Sequence, residues 1–315
     1  MAVRGFKLGG TGGLSGLIQA RVDRVCIGSE VLQQGKVSRY QLRTQYRAIY
    51  PDVYVPRDTH LSLRVRSAAA WLWSGRRGTL TGLAAAALHG SDWVNEDEPV
   101  ELIWRNPRPP TGILTRNCRV GIDEVTRVAG LPVTTPARTA FELGCRRTAA
   151  DAMARLDALM RATPFSTEAT RMLSNRYAGA RGVRQLRTLL PRIDPGAASP
   201  KETWLRMLLV DAGLPTPETQ IPVVVNYRTV AMLDMGWEQF KVAAEYDGDQ
   251  HRTNRRQYVR DLRRLQELAE LGWIVIRVIA EDRPDQVVRH VSEALRRRGF
   301  RDTDTTHTTR RRGCA

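Results

Sequence analysis

Cysteine is scarce: four in 315 residues (Cys26, Cys118, Cys145 and Cys314), with no CxxC pair. That spacing excludes a zinc ribbon and a disulfide framework, leaving buried thiols and one loose tail thiol. Long apolar runs are missing as well. The longest, around Leu80–Leu88, falls short of the roughly 18–20 residues a membrane-spanning helix needs. The first 25 residues are glycine-rich (LGGTGGLSG) without a continuous apolar stretch, so no secretory signal is read there and a cytoplasmic protein is expected. No internal repeat at a solenoid period is visible. Lysine is nearly absent, since 45 of the 49 basic residues are Arg. A GC-rich coding sequence gives the same bias, so basicity by itself does not establish a polyanion partner.

What is present fits a soluble globular chain. At 42% apolar and 26% charged, 315 residues can bury two cores of ordinary size. The net charge of +16 is unevenly placed. Residues 1–199 hold 29 basic against 16 acidic side chains, whereas 200–300 hold 16 against 15. The positive field therefore belongs to the front two-thirds, where it would attract DNA or RNA.

Residues 1–25 read as a flexible leader, with Val22-Asp23-Arg24-Val25 as the true start and the glycines an upstream extension. Residues 26–60 have the outline of a winged helix-turn-helix. Ser29 is expected to cap a short helix carrying Val31 and Leu32, which Gly35 ends. Ser38 and Gln41 form a capping box for a second helix through about Arg47. Ile49-Tyr50-Pro51-Asp52-Val53-Tyr54-Val55 then reads as two short strands around a turn. Arg39, Arg43 and Arg47 fall at i, i+4 and i+8, a cationic stripe read either as a DNA contact or as a solvated face.

Residues 61–190 form a middle α/β region, with helices at Leu63–Trp73 and Leu83–His89 and a strand at Val100–Trp104. A further helix starts at Thr135-Pro136, with Thr as cap and Pro in the first turn. Tryptophans 71, 73, 93 and 104 are best explained by packing or a partner surface, and His60 and His89 by structural roles. Residues 191–198, with Pro, Gly and small side chains, read as a linker. The tail 301–315 has no apolar period and reads as disordered.

Residues 199–300 carry the chemistry, in the order α-β-β-β-α-β-α of an α/β sandwich around a short mixed sheet. Ser199 and Glu202 start its first helix as a capping box. Along a strand at Phe240–Asp247, alternation puts Lys241, Ala243, Glu245 and Asp247 on one face, with Glu245 and Asp247 about 6–7 Å apart. Asp234 ends a neighbouring apolar strand. Three such carboxylates repel strongly unless a cation sits between them, and Mg²⁺ is the ordinary choice in phosphate chemistry. His251 is placed to act as a base or hold a water.

The runs Leu233-Asp234-Met235, Ala244-Glu245-Tyr246-Asp247-Gly248 with His251, Arg260-Asp261-Leu262-Arg263-Arg264-Leu265 and Gly272-Trp273-Ile274-Val275-Ile276-Arg277 resemble a widespread bacterial family. These are endonuclease-like domains related to very-short-patch repair endonucleases, within the PD-(D/E)xK superfamily, and the likeness spans about 199–298. The resemblance implies a restriction-endonuclease-like sandwich hydrolysing phosphodiester bonds with Mg²⁺ or Mn²⁺. It would make Asp234 and Glu245 metal ligands, with Asp247 and His251 completing the site and Asp247 also counted as a ligand. Glu202 and Gln220 would lie at the edge, and Asp261 and Arg264 would line the site from the next helix, with Arg264 also counted as a DNA contact. Where the superfamily's E-x-K has lysine, this chain has Asp247; Lys241 lies two pleats away, and His251 keeps open the histidine chemistry of repair-type relatives.

Residues 27–60 resemble the winged-helix segment of AbiEi-type antitoxins, and Thr79–Gly90 with Thr135-Pro136-Ala137-Arg138-Thr139 resemble the region after it. Together the two resemblances imply an α+β protein with a DNA-binding front and a metal-dependent endonuclease-like back. The alternative is a catalytically inactive DNA-binding regulator or antitoxin-like protein, with a toxin or repair partner.

Overall fold

The computed structural model of the chain describes residues 25–248 and 255–301. Nearly all of the expected leader, the tail beyond Arg301, and His251 lie outside the described residues. The architecture is α+β, built as two units. One runs to Arg147 and takes in Ala162–Pro191; the other comprises Thr148–Arg161 and the chain from Arg192 onward. Among the described residues no helix is long and apolar enough to cross a membrane.

The first unit opens with β1 (Cys26–Ile27), α1 (Gly28–Gln33), α2 (Arg39–Gln45), β2 (Tyr46–Tyr50) and β3 (Val53–Pro56), the strands forming a small sheet in the order β1-β3-β2. Gly35, at φ +65°, turns the chain out of α1 as expected. The capping box is present in both halves: Gln41 N donates to Ser38 Oγ (3.1 Å) and Ser38 N to Gln41 Oε1 (2.8 Å).

Ser29 does not cap α1, which already begins at Gly28. Its backbone N–H and hydroxyl instead donate to the Asp52 carboxylate at the tip of the wing. Arg47 is not on the second helix. That helix stops at Gln45, because Tyr46 is extended and Arg47 pairs opposite Val55 in the wing sheet.

Helix α3 (Leu63–Trp73) follows, then β4 (Thr79–Thr81), α4 (Gly82–Leu88), β5 (Val100–Ile103), β6 (Ile113–Arg116), β7 (Val125–Val128) and β8 (Leu131–Thr134). The strands make a five-stranded mixed sheet, order β6-β5-β4-β8-β7. One core joins the wing to this sheet: Val53 and Val55, Val65 and Ala68–Ala70 of α3, Leu80, Leu102 and Val133. The alanine runs of α3 and α4 let these elements approach closely. Trp73 and Trp104 pack edge to face, and His89 Nε2 bonds the Thr134 carbonyl (2.8 Å), both structural roles.

Helix α5 (Pro136–Arg146) starts on the Thr135 cap with Pro at its first position. It carries Arg138, which is 1% exposed, into contact with the buried carboxylates of Glu124 and Glu142 and between the rings of Phe141 and Tyr177. Helices α7 (Thr167–Arg176) and α8 (Val183–Leu189) complete the unit.

The second unit contains α6 (Ala149–Ala162, of which the last residue falls in the first unit), α9 (Pro200–Asp211), β9 (Glu218–Val225), β10 (Arg228–Trp237), β11 (Val242–Tyr246), α10 (Arg255–Glu270), β12 (Ile274–Val278) and α11 (Pro284–Arg297). From α9 on, this is the element order read from the sequence. The sheet runs β12-β11-β10-β9, with β11 and β12 parallel and the other pairs antiparallel. One face packs Met235, Val242, Ala244 and Val278 against α9 and α11, and the other packs Leu233 and Ala243 against Leu268 and Trp273. The result is a three-layer sandwich.

The segment read as a linker is hydrogen-bonded in place. Asp157 of α6 is 1% exposed and accepts from Asp194 N (2.8 Å), Thr203 Oγ1 (2.9 Å) and Arg206 Nη2 (2.8 Å). Asp194 in turn accepts from Gly196 N (2.8 Å) and Thr219 Oγ1 (3.0 Å). A Cβ on Gly196 would stand 1.9 Å from Thr219 Oγ1, so only glycine fits.

The strand expected over Phe240–Asp247 is shorter. Residues 238–240 make a single 3₁₀ turn, and Lys241 takes a left-handed conformation (φ +49°) before β11 begins. Lys241 is therefore not on the face of Glu245. Its Nζ donates to the Leu271 carbonyl (2.9 Å).

Candidate functional site

Two places concentrate chemistry-bearing side chains, one in each unit. In the first unit, α2 and the wing enclose a groove of about 500 Å³ lined by Leu32, Arg39, Leu42, Arg43, Tyr46, Arg47, Ala48, Tyr54 and Arg57. Leu42 is the buried anchor of α2, and the capping box holds the helix start, leaving Arg39, Tyr40 and Arg43 exposed. Tyr40 is 67% exposed.

Of the three arginines read as one stripe, Arg39 and Arg43 share the helix. Arg47 reaches the same groove from β2, and its guanidinium donates to the Thr59 carbonyl. Arg57 was not singled out from the sequence. Its guanidinium donates to the Thr44 (3.0 Å) and Arg43 (3.1 Å) carbonyls and so satisfies the open C-terminal end of α2. The signal that could have found it is the turn after the wing, which returns the chain to that helix end.

In the second unit, a pocket of about 170 Å³ is lined by Asp234, Glu245, Tyr246, Asp247, Asp261, Arg264, Leu265 and Arg277. Asp234 sits on β10, Glu245 on β11, and the Asp234 carboxylate accepts the Tyr246 N–H (3.0 Å). Burial raises the Asp234 pKa to about 7, helped by the neighbouring charges of Glu202 and Glu245. Glu202 is buried on α9. Glu202 N donates to Ser199 Oγ (3.2 Å), while its carboxylate accepts from Ala198 N (2.8 Å) and Gln220 Nε2 (3.3 Å), one residue further back than a capping box would have it. Gln220 presents that amide from a left-handed backbone position (φ +53°) inside β9.

The structure thus gathers Asp234, Glu245, Asp247, Asp261 and Arg264 around one pocket and places Glu202 and Gln220 beside Asp234. His251 lies outside the described residues. Arg277 was quoted in the sequence only as part of a run, yet it belongs to this group. It stands opposite Glu245 in the parallel β11–β12 register, and its guanidinium bonds the Asp247 carboxylate.

The cation that the acidic side chains require is also present. Arg264 Nη1 donates to Glu245 Oε2 (3.0 Å), and Nη2 bonds Glu245 Oε1 and the Met232 carbonyl (2.8 Å). The hydrogen bond to Glu245 holds the Arg264 pKa above its ordinary value.

A divalent ion at Asp234, Glu245 and Asp247 needs oxygens converging on one point. Both Glu245 oxygens are held by Arg264, the Asp247 carboxylate by Arg277, and the Asp234 carboxylate by a backbone N–H. Among the described residues no three His, Cys, Asp or Glu side chains form such a set. As arranged, these residues do not fit the metal that the nuclease resemblance implied.

Residues 79–192 match the AbiEi antitoxin C-terminal domain family. Two curated relatives come from Mycobacterium tuberculosis: "Uncharacterized protein MT2308" (strain CDC 1551 / Oshkosh) and "Uncharacterized protein Rv2248" (strain ATCC 25618 / H37Rv). Each is 30% identical to this chain over 255 residues, which is 78% of this chain and 92% of theirs. No solved structure matches. The chain belongs to the family of these two mycobacterial proteins, and within it residues 79–192 carry the likeness to the AbiEi antitoxin C-terminal domain.

Proposed function

We propose that this chain is a DNA-binding, antitoxin-like regulator, with DNA as one partner and a toxin protein as the other. The observation that carries the reading is the groove on the winged segment, where Arg39 and Arg43 stand exposed on a rigidly capped helix beside Arg47, Arg57 and two tyrosines. Its surroundings reinforce the field, since residues 1–199 hold the excess of positive charge. In this reading phosphate contacts from the arginines supply affinity, and Tyr40 with the exposed face of α2 meets base edges. The likeness of 79–192 to an antitoxin domain supports the toxin partner.

The test is retention of duplex DNA by the full chain across a salt series. Each arginine that neutralises a phosphate steepens the logarithmic salt dependence by about 0.9, so Arg39→Ala and Arg43→Ala should each weaken binding and flatten that slope by about one unit. Unchanged retention in the double variant would remove the reading.

A second reading, phosphodiester hydrolysis in the second unit, has one observation for it, that Asp234, Glu245 and Asp247 line one pocket of a three-layer sandwich, and one against it, that Arg264 and Arg277 already hold two of those carboxylates. It is tested by nicking of supercoiled plasmid with Mg²⁺, Mn²⁺ or EDTA beside Asp234→Ala. Nicking that disappears in the variant supports it. Absence of nicking with DNA retention intact leaves the regulator alone.

A further inference from the structure

The pocket of the second unit poses an electrostatic problem that the chain solves internally. Burial and the neighbouring charges of Glu202 and Glu245 raise the cost of ionising Asp234, and Glu245, Asp247 and Asp261 line the same opening. Such a group is normally held together by a divalent cation. Here Arg264 reaches down from α10 and grips both oxygens of Glu245 with two N–H groups, the forked geometry that a guanidinium makes and an ammonium cannot.

The remaining bond fixes the arginine from the other side. Arg264 Nη2 takes the Met232 carbonyl, which lies opposite Pro222, a residue with no N–H to give it. On its other edge, β10 pairs with β11 only between Met235 and Trp237, so no strand competes for that carbonyl. Arg264 therefore closes the gap where β10 and β11 diverge, touching both. Arg277 performs the corresponding service for Asp247 from β12.

We infer that Arg264 is the resident cation of this site, standing where a divalent ion would otherwise stand, so that the folded chain takes up no Mg²⁺ or Mn²⁺ at Asp234 and Glu245. The inference is independent of DNA binding by the first unit, and a chain that failed to retain DNA would leave it untouched. It also separates Arg264 from an ordinary salt bridge. If the guanidinium holds the place of a metal, removing it should create a metal site.

The experiment is Mn²⁺ titration of the full chain, followed by calorimetry and by thermal midpoint at constant ionic strength, for the wild type, Arg264→Ala, Arg264→Lys and the double variant Asp234→Asn with Arg264→Ala. The wild type should show no saturable Mn²⁺ binding and no midpoint shift. Arg264→Ala should melt earlier and regain part of the loss with Mn²⁺, binding it at least about tenfold more tightly than the wild type. The double variant should lose that response. Arg264→Lys keeps a charge but cannot bridge both oxygens, so it should fold and show an intermediate uptake; it decides the matter if Arg264→Ala does not fold.

Saturable Mn²⁺ binding by the wild type that Glu245→Gln abolishes would overturn the inference. So would folded Arg264 variants that ignore Mn²⁺, because the arginine would then be a structural tie and nothing more.

Discussion

At Asp234 the cost of burial and the cost of two neighbouring carboxylates act in the same direction, raising the pKa to about 7. In the unfolded chain the same group titrates near the ordinary aspartate value of 3.8. Between those two values the folded chain holds a proton that the unfolded chain has released. The contribution therefore favours the fold at low pH and is lost as pH rises through about 7. Asp234→Asn keeps an acceptor for Tyr246 N and cannot ionise. Its stability advantage over the wild type should be small near pH 4, grow towards pH 7 and level off above, as thermal midpoints in a pH series would show.

Arg138 presents the opposite arrangement, a buried cation among acids. Arg138→Met would leave Glu124 and Glu142 underneutralised, although Arg176, Tyr177 and Arg146 still reach them. A loss of about 3 kcal/mol, at the low end for breaking a buried pair, is expected in urea unfolding. The thiols nearby will not react readily, since burial raises the Cys145 pKa to about 12. The sequence could place Glu245 and Asp247 near each other because strand alternation is local. It could not show that Arg264 and Arg277 neutralise the group, because those bonds join residues 19 and 30 apart in the chain.

Among the elements, α2 was the most legible, since its start is set within four residues. Ser38→Ala removes one half of the capping box and should cost about 1 kcal/mol, visible in equilibrium unfolding and in weaker DNA retention. The end of α2 was not legible. The spacing of Arg39, Arg43 and Arg47 is equally compatible with a longer helix, but the pairing of Arg47 with Val55 supplies a competing partner from the wing, and the strand wins. The wing tip behaves similarly. Asp52, at φ +58°, spends its carboxylate on Ser29, 23 residues earlier, so Asp52→Ala should loosen the turn and α1 together. Hydrogen exchange of the Gly28 and Ser29 amides would report both. In the second unit the order of helices and strands was readable from periodicity, whereas the start of β11 was not, because the 3₁₀ turn and left-handed Lys241 leave no apolar signature.

For the whole molecule, composition indicated two cores and a positive front, and both follow from counting side chains. The allegiance of α6 did not. Read along the chain, it belongs with the helices around it; in the structure, Asp157 ties it to Asp194, Thr203 and Arg206. Arg206 is buried, so a fragment of residues 199–300 expressed alone would strand that guanidinium without its carboxylate. Such a fragment should lack a cooperative thermal transition by circular dichroism, while the full chain shows one. Asp157→Ala in the full chain should reproduce part of the defect.

The chain passes between its two units three times, after Arg147, after Arg161 and after Pro191. A gene, however, is recombined one junction at a time. A single crossover anywhere along this sequence cannot exchange one unit for a foreign counterpart, since every cut leaves one of the two without part of itself. The segment that carries the antitoxin likeness, 79–192, spans all three crossings and so includes a helix that folds with the other unit. A contiguous piece that keeps the second unit whole carries residues 162–191 of the first with it, and one that keeps the first whole carries residues 148–161 of the second.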